Sequence, residues 1–474
     1  MKKILVAGAS GYVGSRLVPR LLQKGYAVRC LARNPEKLKS RAWEGVEIVP
    51  GDVLKPETLL PALQNVDAAY YLVHAMGNSG DFSERDALSA RNFAQAAKTA
   101  GVRRILYLGG LGDQGERLSE HLKSRQEVGA ILGESGVPVT ELRASIIIGS
   151  GSASFEIIRD LVKKLPLMIT PRWVNSRCQP IAIRDVLNYL VGALEEPRTA
   201  GNIYDIGGEE ILTYADMMRL VAEVLGKKLY ILHVPVLTPR LSAYWLNLVT
   251  AVPMSIAFPL VEGLRNDTIC RDRRIREILP ISLTPFKEAV ARALASEKEA
   301  HVESRWTEAS TYETAEAAGA PFRLLKDEQV ISTNAAPAQV FQCFQRIGGD
   351  AGWYYADWAW KFRGLLDRLI GGVGMRRGRR HPVELRVGDA LDFWRVEEIQ
   401  PGKSLKLRAE MKVPGVAWLE FKVAESGAGK TVFTQTASFK PANWLGVAYW
   451  YAMTPMHFLI FRNMARRIVQ AAGR

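Results

Sequence analysis

Near its start the chain reads Val6-Ala7-Gly8-Ala9-Ser10-Gly11-Tyr12-Val13-Gly14, three glycines at three-residue spacing directly after an apolar run and directly before a helical pattern. A glycine loop between a strand and a helix constrains the fold far more than the same glycines in isolation. Gly8 permits a tight turn, Gly11 lets the backbone approach a pyrophosphate, and Gly14 allows close packing of the helix on the sheet. Phosphates then meet free N–H groups at the helix N-terminus, where the macrodipole favours negative charge. The loop predicts a Rossmann domain, a doubly wound parallel α/β sheet, that holds a dinucleotide.

The surrounding pattern agrees. Lys3 to Ala7, Ala27 to Leu31, Val46 to Val49, Ala68 to Val73, Arg104 to Leu108 and Val139 to Leu142 read as strands, with a helix from Tyr12 to Lys24 after the first. Such alternation implies a parallel sheet covered by helices on both faces. The ligand crevice then lies beyond the carboxyl ends of the strands. Gln179 to Val186 and Gly201 to Gly208 read as strands and helices of a smaller, substrate-facing subdomain that caps the crevice.

At the end of the second strand stands Leu31-Ala32-Arg33-Asn34, where an NAD-dependent protein places a carboxylate on the ribose hydroxyls. A guanidinium there pairs with a 2′-phosphate, which points to NADP(H) over NAD(H). Asp52, before Val53, is open to two readings, a contact to the adenine amino group or an ordinary turn or capping aspartate.

Length and composition set the rest of the frame. The 474 residues exceed one hydrophobic core and call for two or three domains. Four cysteines, Cys30, Cys178, Cys270 and Cys343, are scattered without C-x-x-C pairing, which predicts neither a metal site nor a disulfide framework and suits an intracellular, cytoplasmic protein. The formal charge is +14, and residues 321–474 hold 23 Lys and Arg against 13 Asp and Glu. A basic C-terminal part favours anionic partners. The 21 residues from Leu241 to Val261 carry no charge, but Pro253, Pro259 and Asn247 interrupt them, which favours two short apolar helices, packed near the crevice or dipping into a membrane surface, over a span. Met375-Arg376-Arg377-Gly378-Arg379-Arg380-His381 is a concentrated basic loop suited to acidic lipid or to cofactor phosphates. No nucleic-acid-binding signature accompanies it.

A Glu-, Ala-, Thr- and Ser-rich stretch between about 296 and 321 reads as a linker, separating residues 1–295 from residues 322–474. Beyond it, alternating stretches at Gln329 to Ser332, Leu391 to Val396, Ser404 to Met411, Ala417 to Val423 and Thr431 to Phe439 predict antiparallel strands, followed by a long helix from about Tyr449 to Ala472.

The glycine loop, together with Tyr107-Leu108-Gly109-Gly110-Leu111-Gly112 and Tyr204-Asp205-Ile206-Gly207-Gly208, resembles the atypical, NmrA-like branch of the short-chain dehydrogenase/reductase superfamily. The resemblance implies a cofactor cleft lined by Ser10, Gly11, Tyr12, Val13, Arg33, Asp52, Val53, Val73 and His74. Active members carry Tyr-x-x-x-Lys on the helix after the fifth strand and a serine near that strand's end. Here the matching positions are His121 and Arg125, and Gly109 or Gly110 stands at the serine position. Residues four apart share a helix face, so His121 could donate a proton while Arg125 holds the nicotinamide ribose. The other reading of the pair is two polar helix residues. A guanidinium so close lowers the His121 pKa. Two functions follow: an NADP(H)-dependent oxidoreductase acting on a hydrophobic substrate, or a non-catalytic NADP(H) sensor or assembly protein.

The C-terminal part resembles the DUF2867 family and, more broadly, the α+β helix-grip fold of polyketide cyclase-like and START-type lipid-binding proteins. Its cues are Ile331 to Phe341, Val387-Gly388-Asp389 before Phe393-Trp394-Arg395-Val396, and the aromatic C-terminal helix. That resemblance implies an apolar cavity for a hydrophobic, lipid-like ligand. Trp353, Trp358, Trp360, Trp394, Trp444 and Tyr451 are among the aromatics that would wall such a cavity or simply fill a core.

Overall fold

Ile4, Leu5 and Val6 are each fully buried, and each such side chain contributes about 1.5–3 kcal/mol when removed from water. They sit on the first strand of a seven-stranded sheet seen in a computed structural model of the chain. It describes residues 2–473 apart from 75–81, 113–117, 235–245, 247–248, 251, 253–257, 259–261, 264–265, 300–301, 310–321, 376 and 427–428. The chain divides into two units, Met1–Ala309 and Ser310–Arg474.

In the first unit the strands are β1 (Lys3–Ala7), β2 (Ala27–Ala32), β3 (Glu47–Pro50), β4 (Ala68–Tyr71), β5 (Arg104–Gly110), β6 (Val139–Ala144) and β7 (Ile203–Ile206). They pair in the order β7-β6-β5-β4-β1-β2-β3, and all the pairings are parallel. The order reverses between β1 and β4, which is where such sheets open a crevice at the carboxyl edge. Alternation along β1 divides the core. Ile4 and Val6 pack with α1 (Gly14–Gln23), while Leu5 and Ala7 pack with α2 (Phe82–Thr99) and α3 (Glu120–Glu134). Period-two burial on both faces is what a helix-covered parallel strand requires.

Two expectations change here. Ile203–Ile206 pairs with β6 and completes the main sheet, so the Gly201 to Gly208 segment does not belong to a separate cap. A further core lies within the same unit instead, in which Phe155, Met217, Val252 and Phe286 are buried. Most of 241–261 lies outside the described residues; of the rest, Leu246 and Val252 are buried in that core. The expected linker also starts later than position 296, because α4 (Phe286–Lys298) and residues 302–309 belong to the first unit. Ser304 donates to the Tyr12 carbonyl at 3.2 Å, Arg16 donates to the Ser304 carbonyl at 3.2 Å, and the Trp306 N–H donates to the Gly151 carbonyl at 2.8 Å. Composition alone missed these tertiary hydrogen bonds. Residues 310–321 of the linker lie outside the described residues.

The second unit is a six-stranded antiparallel sheet of β8 (Leu325–Thr333), β9 (Ala390–Leu391), β10 (Trp394–Gln400), β11 (Ser404–Ala409), β12 (Gly415–Ser426) and β13 (Lys430–Pro441), in the order β8-β13-β12-β11-β10-β9. The stretch from Leu391 to Val396 is a hairpin, not one strand. Asp392 turns it in the left-handed region at φ +54°, and its carboxylate accepts the Trp353 indole N–H at 2.9 Å and the Gly349 N–H at 3.1 Å. The long helix begins at Trp444, earlier than Tyr449, because the Asn443 side chain caps it by accepting the Gly446 N–H at 3.0 Å. Its second half, through Phe461, Met464 and Ile468, packs into the core.

Two further corrections concern this unit. Trp353, Trp360, Phe393 and Trp394 stack on one another at centroid distances of 5.0–6.3 Å, so they fill the core, whereas Trp358, Trp444 and Tyr451 face solvent. Among its described residues the basic loop is also not an open anion site. Arg377 pairs with Glu410, Arg380 Nε lies 3.0 Å from the Asp389 carboxylate, and Arg379 donates to the carbonyls of Ile347 at 2.8 Å and Val383 at 2.6 Å. These guanidinium groups neutralise buried carboxylates and satisfy carbonyls. Arg376 lies outside the described residues.

Candidate functional site

The glycine loop turns at the carboxyl end of β1. Gly8 has φ +91°, and a Cβ on it would sit 2.5 Å from the Leu72 carbonyl oxygen, just past β4. A Cβ on Gly14 would lie 2.3 Å from the Gly8 carbonyl oxygen, and the Gly11 N–H donates to that same oxygen at 3.0 Å. Side chains at Gly8 and Gly14 are therefore excluded by backbone. At the start of α1, Val13 offers no side-chain cap and the first turn holds no acidic residue. The Ser15 and Arg16 N–H groups donate to the Gly11 and Val13 carbonyls, and with no carboxylate in the first turn the helix turns its positive end to the loop. A backbone cradle closed to any Cβ, opening an uncapped helix, fits a dinucleotide pyrophosphate.

Around this cradle the expected residues take distinct places. Ser10 and Val13 are half-buried on the loop. The Tyr12 ring lies under the Arg16 guanidinium, 4.4 Å from ring centroid to carbon, and burial pushes its phenol pKa up. Arg33 is exposed at the carboxyl end of β2, with no hydrogen bond or ion pair among the described residues, whereas Lys37 and Arg41 nearby are bound to Glu308. Asp52 has a turn role: its carboxylate accepts the Leu54 N–H at 3.0 Å and its own N–H donates to Thr58 Oγ1 at 3.0 Å. Val53 is buried, and its carbonyl accepts the Asn92 amide at 3.0 Å. Val73 is half-buried beside Gly8.

His74 and His121 come together. His74 follows β4 and His121 lies in the first turn of α3, and their ring centroids are 4.9 Å apart. His74 Nδ1 is 2.8 Å from the Asp86 carboxylate, which also accepts from Ser124 Oγ at 3.3 Å. The carboxylate places the His74 proton on Nδ1, so Nε2 is an acceptor; that atom is buried without a hydrogen bond among the described residues. Burial lowers the His74 pKa despite Asp86. Burial first, then His74 and Arg125, push His121 down to about 3. The sequence pointed to the guanidinium as the cause, but desolvation is larger.

Arg125 lies against the fifth strand. Its guanidinium donates to the Leu108 carbonyl and lies 5.4 Å from the Tyr107 ring centroid, so it braces β5. The missing serine has a physical reason too. A Cβ on Gly109 would fall 2.6 Å from Glu141 Oε1, and one on Gly129 would fall 2.4 Å from Glu141 Oε2. Glu141 is buried on β6, held by Arg143 at 2.8 Å, and burial raises its pKa. Asp86 and Glu141 were not singled out from the sequence. Asp86 is twelve residues from His74 across a non-periodic stretch, and Glu141 sits inside an apolar strand, so only the pairing of elements brings either to the site.

Comparison with known proteins agrees with this geometry. The NAD(P)H-binding family matches residues 8–157, and the family described as protein of unknown function DUF2867 matches residues 320–464. The chain is 30% identical over 233 residues to a (4-alkanoyl-5-oxo-2,5-dihydrofuran-3-yl)methyl phosphate reductase of Streptomyces griseus subsp. griseus, covering 48% of this chain and 75% of that protein. It is 22% identical over 239 residues to the photosystem II assembly factor Ycf39 of Trieres chinensis, covering 50% of this chain and 74% of that one. Among solved structures, a Citrobacter triphenylmethane reductase complexed with NADP(H) superimposes with a TM-score of 0.52 at 22% identity, over 61% of this chain and 99% of that chain, which shows the shared fold.

Proposed function

The chain belongs to the NAD(P)H-binding, NmrA-like short-chain dehydrogenase/reductase type and carries a DUF2867 domain at its C-terminus, and from that premise we propose that it is an NADP(H)-dependent reductase of a hydrophobic substrate. The buried His74–His121 pair, oriented by Asp86 at the edge of the sheet that also carries the glycine loop, is the observation that carries this reading. When bound, the dinucleotide supplies hydride chemistry. The chain's own part is to bind and to handle a proton. Gly8, Gly11 and Gly14 cradle the pyrophosphate, and the free guanidinium of Arg33 selects the 2′-phosphate of NADP(H) over NAD(H). His121, kept neutral, donates a hydrogen bond from its ring N–H to a substrate oxygen, as a neutral imidazole with a depressed pKa does. Reduction also takes up one proton at that oxygen, which water supplies, while Asp86 holds the His74 tautomer with Nε2 as an acceptor.

Support for an apolar substrate comes from the paired strands Leu167–Pro171 and Tyr230–Val234 in the first unit, which expose Leu167, Ile169, Tyr230 and Leu232. The second unit's resemblance to lipid-binding helix-grip proteins points the same way.

A second reading, a non-catalytic NADP(H) sensor or assembly protein, is favoured by Glu141 filling the serine position and by the likeness to a photosystem assembly factor. Oxidation of NADPH against a panel of carbonyls and quinones separates the two. Under the reductase reading, His121→Ala binds NADPH like wild type and loses turnover by roughly a hundredfold or more. Wild-type protein that binds NADPH and oxidises it with no acceptor would leave the sensor reading in place.

A further inference from the structure

The helix Trp444–Ala472 is inverted in its first half. Residues 444–461 include no Asp, Glu, Lys or Arg, and the side chains facing water include Trp444, Leu445, Tyr451 and Phe458, at 77, 73, 64 and 54% exposure. An ordinary surface helix turns charged residues outward and its apolar stripe inward. The helix Asp357–Leu369 repeats the anomaly, with Trp358 69% and Leu369 70% exposed. The two helices adjoin. Trp360 and Phe461 rings lie 6.2 Å apart, Lys412 Nζ donates to the Ile370 carbonyl at 2.9 Å, and the Pro414 carbonyl accepts the Ala442 N–H at 3.1 Å. The short run 412–414 thus joins the end of one helix to the start of the other.

Charge decides what would cover them. After Glu425 the chain has no acidic residue and six Lys and Arg, and residues 321–474 as a whole carry ten more basic than acidic residues, 23 against 13. A second copy would bring the same positive charge against itself. An anionic bilayer offers an acyl boundary to the aliphatic side chains, a headgroup layer to the exposed Trp and Tyr, and negative charge to the arginines. No described helix is long and apolar enough to cross a membrane, so contact would be from one side.

We propose that the outer faces of Asp357–Leu369 and of the first half of Trp444–Ala472 dock on an anionic phospholipid surface. The basic loop at 377–380 and the segment 241–261, where the sequence alone suggested membrane contact, are not needed for it.

Flotation of the full chain with vesicles of equal parts phosphatidylglycerol and phosphatidylcholine, and with phosphatidylcholine alone, tests this. The wild type is expected to float with the first and at least about tenfold less with the second, and the Leu445→Glu, Phe458→Glu double variant to lose flotation by a similar factor while melting like wild type. Equal flotation on both vesicles, or none on either, overturns the proposal, as does a double variant that floats unchanged. A wild-type dimer without vesicle binding, dissociated by the same substitutions, would assign the face to a second copy instead.

Discussion

His74 and His121 stand with ring centroids 4.9 Å apart and planes at 60°, and among the described residues only His74 has a carboxylate, Asp86, at 2.8 Å. Two neighbouring imidazoles inside the protein disfavour charge on each other, and burial disfavours it on both. The site therefore presents a neutral pair whose tautomers are set from one side.

That neutrality makes stability depend on pH. The His121 pKa falls from 6.5 unfolded to about 3 folded, so the unfolded chain binds the extra proton between those values and stability is lost as pH drops through that window. At about pH 5 the cost is roughly 2 kcal/mol from this residue. His121→Asn should flatten the decline in thermal midpoint between about pH 7 and pH 5. Wild type and variant with the same pH slope would refute the assignment.

Arg33 should decide the cofactor. Calorimetric titration of wild type is expected to give NADPH binding at least about tenfold tighter than NADH, a gap of roughly 1.4 kcal/mol that Arg33→Ala removes by weakening NADPH alone. Equal losses for both dinucleotides would mean the guanidinium does not read the 2′-phosphate.

Restoring a serine at position 109 should harm the protein. The new Cβ meets Glu141 Oε1 at 2.6 Å, and overpacking of this kind costs about 1–3 kcal/mol. Gly109→Ser is expected to lower the melting temperature, and adding Glu141→Ala to recover part of it. An unchanged melting temperature in Gly109→Ser would show that the carboxylate moves aside freely.

Arg395 and Arg377 both pair with Glu410, whose carboxylate is buried, the Arg395 Nε at 2.8 Å. Removing Arg395 leaves a buried charge with less compensation, at a cost of about 3–5 kcal/mol. Arg395→Ala should lower the urea midpoint strongly, with Arg395→Met, Glu410→Met doing less harm because both charges leave together. A single variant as stable as wild type would contradict this role for the pair.

How much of this was legible in the sequence differs by level. The strands β1 to β6 and the glycine loop were readable because their signal is local: apolar runs of strand length, then glycines where backbone meets backbone, as at Gly8 against Leu72. Arg33 at the end of β2 was placed by counting along one βαβ unit. The seventh strand was not, since Ile203–Ile206 is claimed for the main sheet only by β6. Likewise Arg377, Arg379 and Arg380 look like a free basic patch in the chain, and only their burial against Glu410, Asp389 and backbone carbonyls reveals internal pairing.

The sequence by itself therefore determined the dinucleotide fold and its phosphate cradle, because glycine at φ +91° and a helix without a cap are properties of a few consecutive residues. Only the tertiary structure decided the chemistry beside that cradle. Asp86 reaches His74 from another helix, His121 meets it from a third element, and Glu141 takes the serine's space from the neighbouring strand. Protonation state and side-chain room are set by groups distant in the chain, through burial and contact that no local pattern encodes.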